Sequence, residues 1–320
     1  MISPPFRFLS AGFNPLWPGQ VANILRKLKP GVIFAHFTVP GITDVVARQA
    51  KRLDIPVCLV YHSDITGPDF FRRSAGYLYY RTAGLRTLEC SDRIIVCSQE
   101  YKKASLWLSC LEKPLDFIPC GVDPVMAEAR REPSFPYLFF AGKAGAAGKG
   151  FDVLYKAWLN IICDFPELEL LAAGKAIRAH KYPGVRFLGQ VNSRRELGHL
   201  YASASATILP STSTSESFGM VLAESLAAGT PVVGSDIGGI RAVVQEGVNG
   251  YLASPGDAHS LAEAIQKVLG SEEKLRQNVR KYRGKYLEIY NWDRITDRVE
   301  EVLYILKRDA SCACKKSEHE

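Results

Sequence analysis

The sequence contains no apolar run near the roughly 18 residues that a membrane-spanning helix needs. Its opening, Met1-Ile2-Ser3-Pro4-Pro5, also lacks the charged-then-apolar order of a secretory signal. Both absences point to a cytoplasmic protein. Eight cysteines are present (Cys58, Cys90, Cys97, Cys110, Cys120, Cys163, Cys312 and Cys314), yet none forms a C-x-x-C pair. That excludes a disulfide framework or zinc site and leaves buried or idle thiols in a reducing compartment. No Asp-x-Asp occurs anywhere, so the paired acidic ligands that would hold a metal on a diphosphate are missing. Metal-independent chemistry is therefore expected. No internal repeat of solenoid or propeller period is found, and no recognised nucleic-acid module accompanies the dispersed basic residues.

What is present is an ordinary globular composition: 320 residues, 47% apolar, 23% charged, with a net charge of +7. The length favours two cores over one, and the charge suits an anionic partner without choosing among phosphate ligand, lipid headgroup and nucleic acid. Short β-branched runs alternate with helical patterns: Val32 to Ala35, Pro56 to Tyr61, Arg93 to Val96 and Asp116 to Ile118 read as strands. The pattern breaks near Gly121-Val122-Asp123-Pro124, and 124–136 reads as a linker. A second series starts at Tyr137 to Ala141 and continues through Leu168 to Ala172, Val185 to Leu188, Ala206 to Leu209 and Pro231 to Val233. Strand, helix, strand at this spacing predicts parallel βαβ units. The expected architecture is α/β: two doubly wound Rossmann-like domains, 1–123 and 137–288, with a ligand crevice between them. Ser260-x-x-Glu263 predicts a capping box, a charged helix is expected from Glu272, and 289–308 reads as a final helix packing toward the first domain. The tail, 309–320, reads as disordered. Cys312 and Cys314 beside two lysines offer a lipidation site, with a disordered tail the simpler reading.

Three stretches carry candidate chemistry. Gly142 to Gly150 follows a strand and precedes a helix, so its N–H groups with Lys143 and Lys149 can cradle phosphate. It is neither a P-loop, which needs glycine at Lys143 and Ser or Thr at Gly150, nor a G-x-G-x-x-G fingerprint; a flexible glycine turn explains it equally well. In Ser211 to Asp236, Ser217 reads as the cap of a helix that opens at Phe218 and is stopped by Gly229, and helical rise over the eight residues from Glu216 to Glu224 sets the two carboxylates about 12 Å apart. Glycosidase carboxylates stand about 5–9.5 Å apart, which argues against a hydrolytic pair. His62 lies just past a strand, where α/β ligands bind, although a lone histidine is more often structural and the other five share no spacing with it. Phe70 to Arg86 mixes aromatics with arginines, and two readings stand side by side: contact with an anionic membrane, or a core helix with a solvated basic edge.

Tyr61-His62-Ser63-Asp64, Ile118 to Asp123, Lys149-Gly150, Glu216 to Glu224, Gly229 to Val233, Gly238-Gly239-Ile240 and Asn249 to Leu252 together resemble the group-one, family-four retaining glycosyltransferases of the GT-B fold. The resemblance runs from about Lys29 to the helix after Trp292 and is most specific in the second half. It implies transfer of a hexose from a nucleotide diphosphate sugar to a glycan or lipid-linked acceptor with retained configuration, with no cofactor. It also implies roles. Glu224 holds the ribose, Glu216 lies by the donor sugar, backbone N–H groups of Phe218, Gly219, Met220 and Val221 take the diphosphate, and Lys149 neutralises the leaving group. Lys143 stands where the family usually carries arginine, and His62 matches a histidine facing the reacting sugar. One departure is that Met1 to Gln20 reads as strandless, whereas such proteins open with a strand, a glycine-rich loop and a helix. The first domain is thus expected to be shortened, with a non-catalytic GT-B protein, or another GT-B enzyme such as an epimerase or phosphorylase, as the alternative.

Overall fold

The computed structural model describes residues 6–8, 11–37, 40–65, 67, 69–175 and 181–317, with side chains from 12 to 311 within those ranges. The chain divides into two compact units, Met1–Ile118 with Thr296–Glu320, and Pro119–Ile295.

In the first unit, β1 (Phe6–Phe8) and β2 (Ala11–Phe13) pair antiparallel, and α1 (Trp17–Leu28) follows. The opening segment is therefore not strandless: a hairpin and a helix precede the main sheet. Its two strands are only three residues each, too short to show an apolar alternation. The main sheet is parallel, in the order β3 (Ile33–Phe37), β4 (Val57–Tyr61), β5 (Arg93–Val96), β6 (Leu115–Phe117). β4 and β5 are near-continuous apolar runs because both faces are covered, as parallel strands require. α2 (Ile42–Arg52) joins β3 to β4, and α3 (Phe70–Tyr79), a π-helical turn (Tyr80–Gly84) and α4 (Leu85–Cys90) join β4 to β5. Tyr80 and Leu88 enter the core, whereas Phe70, Phe71, Tyr77 and Leu78 are exposed. The stretch thus serves as a core helix on one side and presents aromatics on the other.

The second unit begins with α6 (Val125–Glu128), which packs against α8 (Arg194–Ser203) and α9 (Met220–Ala228) and buries Met126 completely. The stretch read as a linker therefore contributes one short helix to this unit, with Met126 as its buried residue. Its sheet is parallel, ordered β12 (Gly250–Ala253), β11 (Val232–Ser235), β10 (Ala206–Leu209), β7 (Tyr137–Ala141), β8 (Glu169–Ala173), β9 (Val185–Gly189). The chain enters at β7, moves outward to β9, then returns to the other side of β7 with β10. That reversal is a topological switch point, the place where open α/β sheets bind ligands at the carboxyl ends of the strands. α7 (Phe151–Ile161) and α11 (Ala258–Gly270) pack on one another, and α12 (Glu272–Ile289) reaches α9.

Two local expectations are corrected. The cap of α11 is Asp257, which accepts from the N–H groups of His259 (2.8 Å) and Ser260 (3.1 Å), so the helix begins before the expected box. Ser260 is left to accept from Ser254 N–H at 3.0 Å. α13 (Trp292–Ser317) continues through the segment expected to be disordered, because its apolar positions Ile295, Val302 and Leu306 are buried and anchor it. Residues 318–320 and the side chains of Cys312 and Cys314 lie outside the described residues.

Candidate active site

At the switch point of the second unit two loops meet: 142–150 after β7 and 210–219 after β10. Glycine permits their close approach. A Cβ on Gly150, whose φ is +67°, would stand 1.8 Å from the carbonyl oxygen of Pro210, and Thr212 N–H donates to the Gly148 carbonyl at 2.9 Å. The contact delivers Lys149 to Glu216. The ammonium Nζ donates to Glu216 Oε2 at 2.8 Å, and Ser211 Oγ donates to the same oxygen at 3.1 Å. Oε1 of Glu216 has no partner among the described residues, so it is the oxygen open to a ligand. Gly239 supports the loop from the other side, where a Cβ would come within 2.3 Å of the Glu216 carbonyl oxygen. Lys149 is 42% exposed and uses one of its three donors on Glu216. Lys143 is exposed and has no ion-pair partner among the described residues.

The helix expected from Phe218 begins instead at Met220. Its cap is Gly219, left-handed at φ 80°, and no side chain caps its first turn. Ser217 does not cap it, because the positive φ of Gly219 turns the chain away before the helix starts. Two consequences follow. Glu216 sits in the loop rather than on the helix, so the spacing of about 12 Å along a helix does not apply to the glutamates. More usefully, a cap without a side chain leaves the N–H groups of Met220 and Val221 unclaimed at the positive end of the helix dipole, which is an anion site. Phe218 is buried edge-on against Tyr290, 5.6 Å between ring centres, and so anchors the turn. Gly229, left-handed at φ 91°, ends the helix as expected.

Glu224 lies on α9 and is nearly buried. Tyr201 Oη donates to its Oε2 at 2.8 Å, and the exposed Arg194 approaches Oε1 at 3.4 Å. Burial pushes this carboxyl above the usual carboxylate range, against the lowering effects of the Tyr201 hydrogen bond and the Arg194 charge. The two glutamates thus belong to separate networks, which replaces the helical spacing as the argument against a hydrolytic pair.

In the first unit, His62 is not alone. β3 and β4 pair in parallel register, Phe37 beside Tyr61, and this puts His36 Nδ1 2.7 Å from His62 Nε2 with the rings stacked at 5.0 Å. Burial, then the neighbouring His36, pushes His62 below the usual histidine value. The segment after it is tied down by Asp64, whose carboxylate accepts from Tyr61 (2.7 Å), Ser105 (2.5 Å) and Tyr101 (3.3 Å). Of the other histidines, His180 and His319 lie outside the described residues.

Sequence reasoning missed Ser211, Tyr201 and Arg194 as partners of the glutamates, and it missed His36. It also missed Arg276, 1% exposed, whose guanidinium donates to Glu272 Oε1 (2.8 Å), to Thr230 Oγ1 (3.1 Å), and to the Ala202, Gly229 and Ala204 carbonyls at the ends of α8 and α9.

Two parallel-sheet Rossmann-like units, one with an uncapped helix N-terminus beside a lysine at its switch point, define the class: α/β proteins of the GT-B type. The chain belongs to the glycosyl transferases of group 1, whose family model matches residues 125–286, while the model for glycosyltransferase family 4 matches 2–125. It is 31% identical to a phosphatidyl-myo-inositol mannosyltransferase of Mycobacterium leprae over 198 residues, covering 58% of this chain and 52% of the relative. It is 26% identical to the sulfoquinovosyl transferase SQD2 of Arabidopsis thaliana over 326 residues, 92% of this chain and 60% of the relative. The chain spans about half the length of the mannosyltransferases it matches. Among solved structures, the sucrose-phosphate synthase of Thermosynechococcus elongatus superposes with a TM-score of 0.74 at 22% identity, over 95% of this chain and 82% of that one. HepE of Anabaena, solved with UDP, gives 0.68 at 18% identity, over 90% and 81%. At these identities the likeness establishes the fold. No helix among the described residues is long and apolar enough to cross a membrane.

Proposed function

We propose that this chain is a glycosyltransferase that moves a hexose from a nucleotide diphosphate sugar to a glycan or lipid-linked acceptor, with retention of configuration and without a metal. One observation carries the reading: Lys149, Glu216 and the uncapped start of α9 converge at the switch point. The diphosphate would accept from the N–H groups of Met220 and Val221, where a neutral glycine cap leaves room for its oxygens. Lys149 supplies a positive charge as the leaving phosphate gains a negative one, which is electrostatic stabilisation held in place before reaction. Glu216 keeps that ammonium in position through Oε2 and offers Oε1 to a sugar hydroxyl. Glu224 takes the ribose hydroxyls, Lys143 adds charge at the rim as a point charge without the arginine fork, and the family resemblance assigns His62 to the sugar. The names of the mannosyltransferase relatives and the UDP bound to HepE support a nucleotide-sugar donor and a lipid-linked acceptor.

The same relatives favour an acceptor at a membrane, and α3 offers a surface for it. Phe70, Phe71, Tyr77 and Leu78 are 54–80% exposed, flanked by the exposed Arg72, Arg73, Arg81 and Arg86. That mixture suits peripheral contact with anionic lipid.

A panel of UDP-, GDP- and ADP-sugars tests the assignment through donor hydrolysis and transfer by the wild type, Glu216→Ala and Lys149→Ala. Turnover that is unchanged in both variants would sink it. Donor binding by calorimetry without any product would instead identify a binding protein of the same fold.

A further inference from the structure

We infer that Arg283 and Tyr290 are positioning residues for the donor diphosphate: from one stripe of α12 they hold the two ends of α9, and so set where, and with what field, its free N–H groups meet an anion. The assignment of the diphosphate to the start of α9 is the premise, and what is added is the pair of residues that fixes that helix.

α9 supplies no such support itself. Its nine residues carry no basic side chain in the last turn, so the negative pole at its C-terminal end has no cation of its own. The N–H groups of Gly229 and Thr230 take the Leu226 and Ser225 carbonyls. The Ala227 carbonyl accepts instead from Arg283 Nε at 2.8 Å, and a second nitrogen of that guanidinium donates to the Ala127 carbonyl of α6. Arg276 reaches the same end at the Gly229 carbonyl, but its charge is paired with Glu272 at 2.8 Å. Arg283 has no carboxylate partner among the described residues, so its positive charge faces the pole of α9 uncompensated. Leu222 to Ala228 are all buried, which leaves little water to screen that charge from an anion at the other end.

The other end is held from the same stripe. Arg283 and Tyr290 are seven residues apart, about 10.5 Å along a helix, and the nine residues of α9 span about 13.5 Å. α12 therefore runs antiparallel to α9 and reaches both of its ends. The buried Tyr290 ring meets Phe218 edge-on, 5.6 Å between centres, and its carbonyl accepts from Val122 N–H at 2.8 Å. Phe218 precedes the left-handed Gly219, so a ring fixed at Tyr290 fixes the turn from which the Met220 and Val221 N–H groups emerge. Between the two contacts, Tyr286 Oη accepts from Asn249 Nδ2 at 3.2 Å, which ties this face of α12 to the residue before β12.

The test measures affinity of the full chain for UDP, GDP and ADP by calorimetry, and compares the tightest binder with its own nucleoside by NMR titration. Arg283→Gln keeps a donor for a carbonyl and removes the charge. It should weaken diphosphate binding about fivefold to tenfold, with nucleoside affinity within about twofold of the wild type. Arg283→Lys restores the charge and should recover most of the loss. At the other end, Tyr290→Leu should weaken the diphosphate by a similar factor, whereas Tyr290→Phe, which keeps the ring, should match the wild type. Melting curves check that each variant is folded at the assay temperature, and the Arg283→Gln and Arg283→Lys pair decides the matter if Tyr290→Leu does not fold. Unchanged diphosphate affinity in Arg283→Gln would overturn the inference. Equal losses of diphosphate and nucleoside affinity would overturn it too, since they mark a merely structural role. A wild type that binds none of the three nucleoside diphosphates would overturn the donor assignment itself, and the inference with it.

Discussion

Replacing Lys149 by methionine separates the two roles its ammonium can play. In the ligand-free protein, Lys149 makes one ion pair, to Glu216 Oε2 at 2.8 Å, with the lysine side chain 42% and the glutamate 18% exposed. A pair so open to water contributes about 0.2–1 kcal/mol. Its loss leaves Glu216 still bonded to Ser211, and the melting temperature should fall by at most about 2–4 °C, the shift for a full kcal/mol in a unit of this size. In the transition state the same ammonium meets a phosphate that is gaining charge, where removing one such donor costs about 2.7–4 kcal/mol, or 10²–10³ in kcat. The expected result is therefore a near-native melting curve with kcat reduced about a hundredfold or more, measured by donor hydrolysis and by transfer under saturating donor. Lys149→Arg should recover only part of the loss, because the guanidinium is wider and its fork addresses Glu216 differently. A kcat within about fivefold of the wild type would refute the electrostatic role. A melting temperature lowered by about 10 °C or more would show instead that the pair is chiefly structural.

Arg276→Met should be a stability variant with unaltered chemistry: it strips buried donors from the carbonyls at the ends of α8 and α9, while Glu272 keeps its pairing with Arg131, at a cost of about 1–3 kcal/mol for each buried acceptor left unsatisfied, read as a large fall in melting temperature. Only a small change would mean that water takes over those carbonyls. For Glu224→Gln the sign follows from burial, which raises the native carboxyl above its unfolded value of about 4.3. The native state then binds more protons than the unfolded chain between the two values, so stability falls as pH rises through that window and the penalty persists at neutral pH. Glu224→Gln should accordingly melt no lower than the wild type at pH 7, with the difference shrinking as pH drops toward 4, while donor affinity weakens through the lost ribose contact; a wild type clearly more stable at pH 7 would contradict this. On the α3 surface, Phe70→Ser with Phe71→Ser should cut sedimentation with vesicles containing anionic lipid several-fold and leave zwitterionic vesicles, expected to bind little, unaffected. Binding of the double variant to anionic vesicles as strong as that of the wild type would remove the membrane surface.

The strands were legible because parallel strands buried on both faces must be continuous apolar runs. Val57 to Tyr61 and Ala206 to Leu209 have few apolar alternatives once helix length is denied them by flanking polar residues. The motif residues were also legible as types and spacings, and Lys149, Glu216 and the start of α9 do come together. Hidden from sequence was everything set by a dihedral or by register. Ser217 before an apolar run is a good cap by composition, and only the left-handed Gly219 decides that the helix starts later and that its N–H groups stay free. His36 and His62 are 26 positions apart, with no helical or strand period to join them, and become neighbours because two parallel strands align Phe37 with Tyr61. Arg276 sits in a run of charged residues that reads as a solvated helix face, yet its side chain closes the ends of two other helices. The same physical distinction explains the second half's clarity. Its loops are specified by glycines whose Cβ would collide with backbone, as at Gly150 and Gly239, and a glycine forced by contact leaves a mark in the sequence. A hydrogen bond between two side chains on neighbouring strands leaves none, which is why the partner of His62 had to be found in the fold.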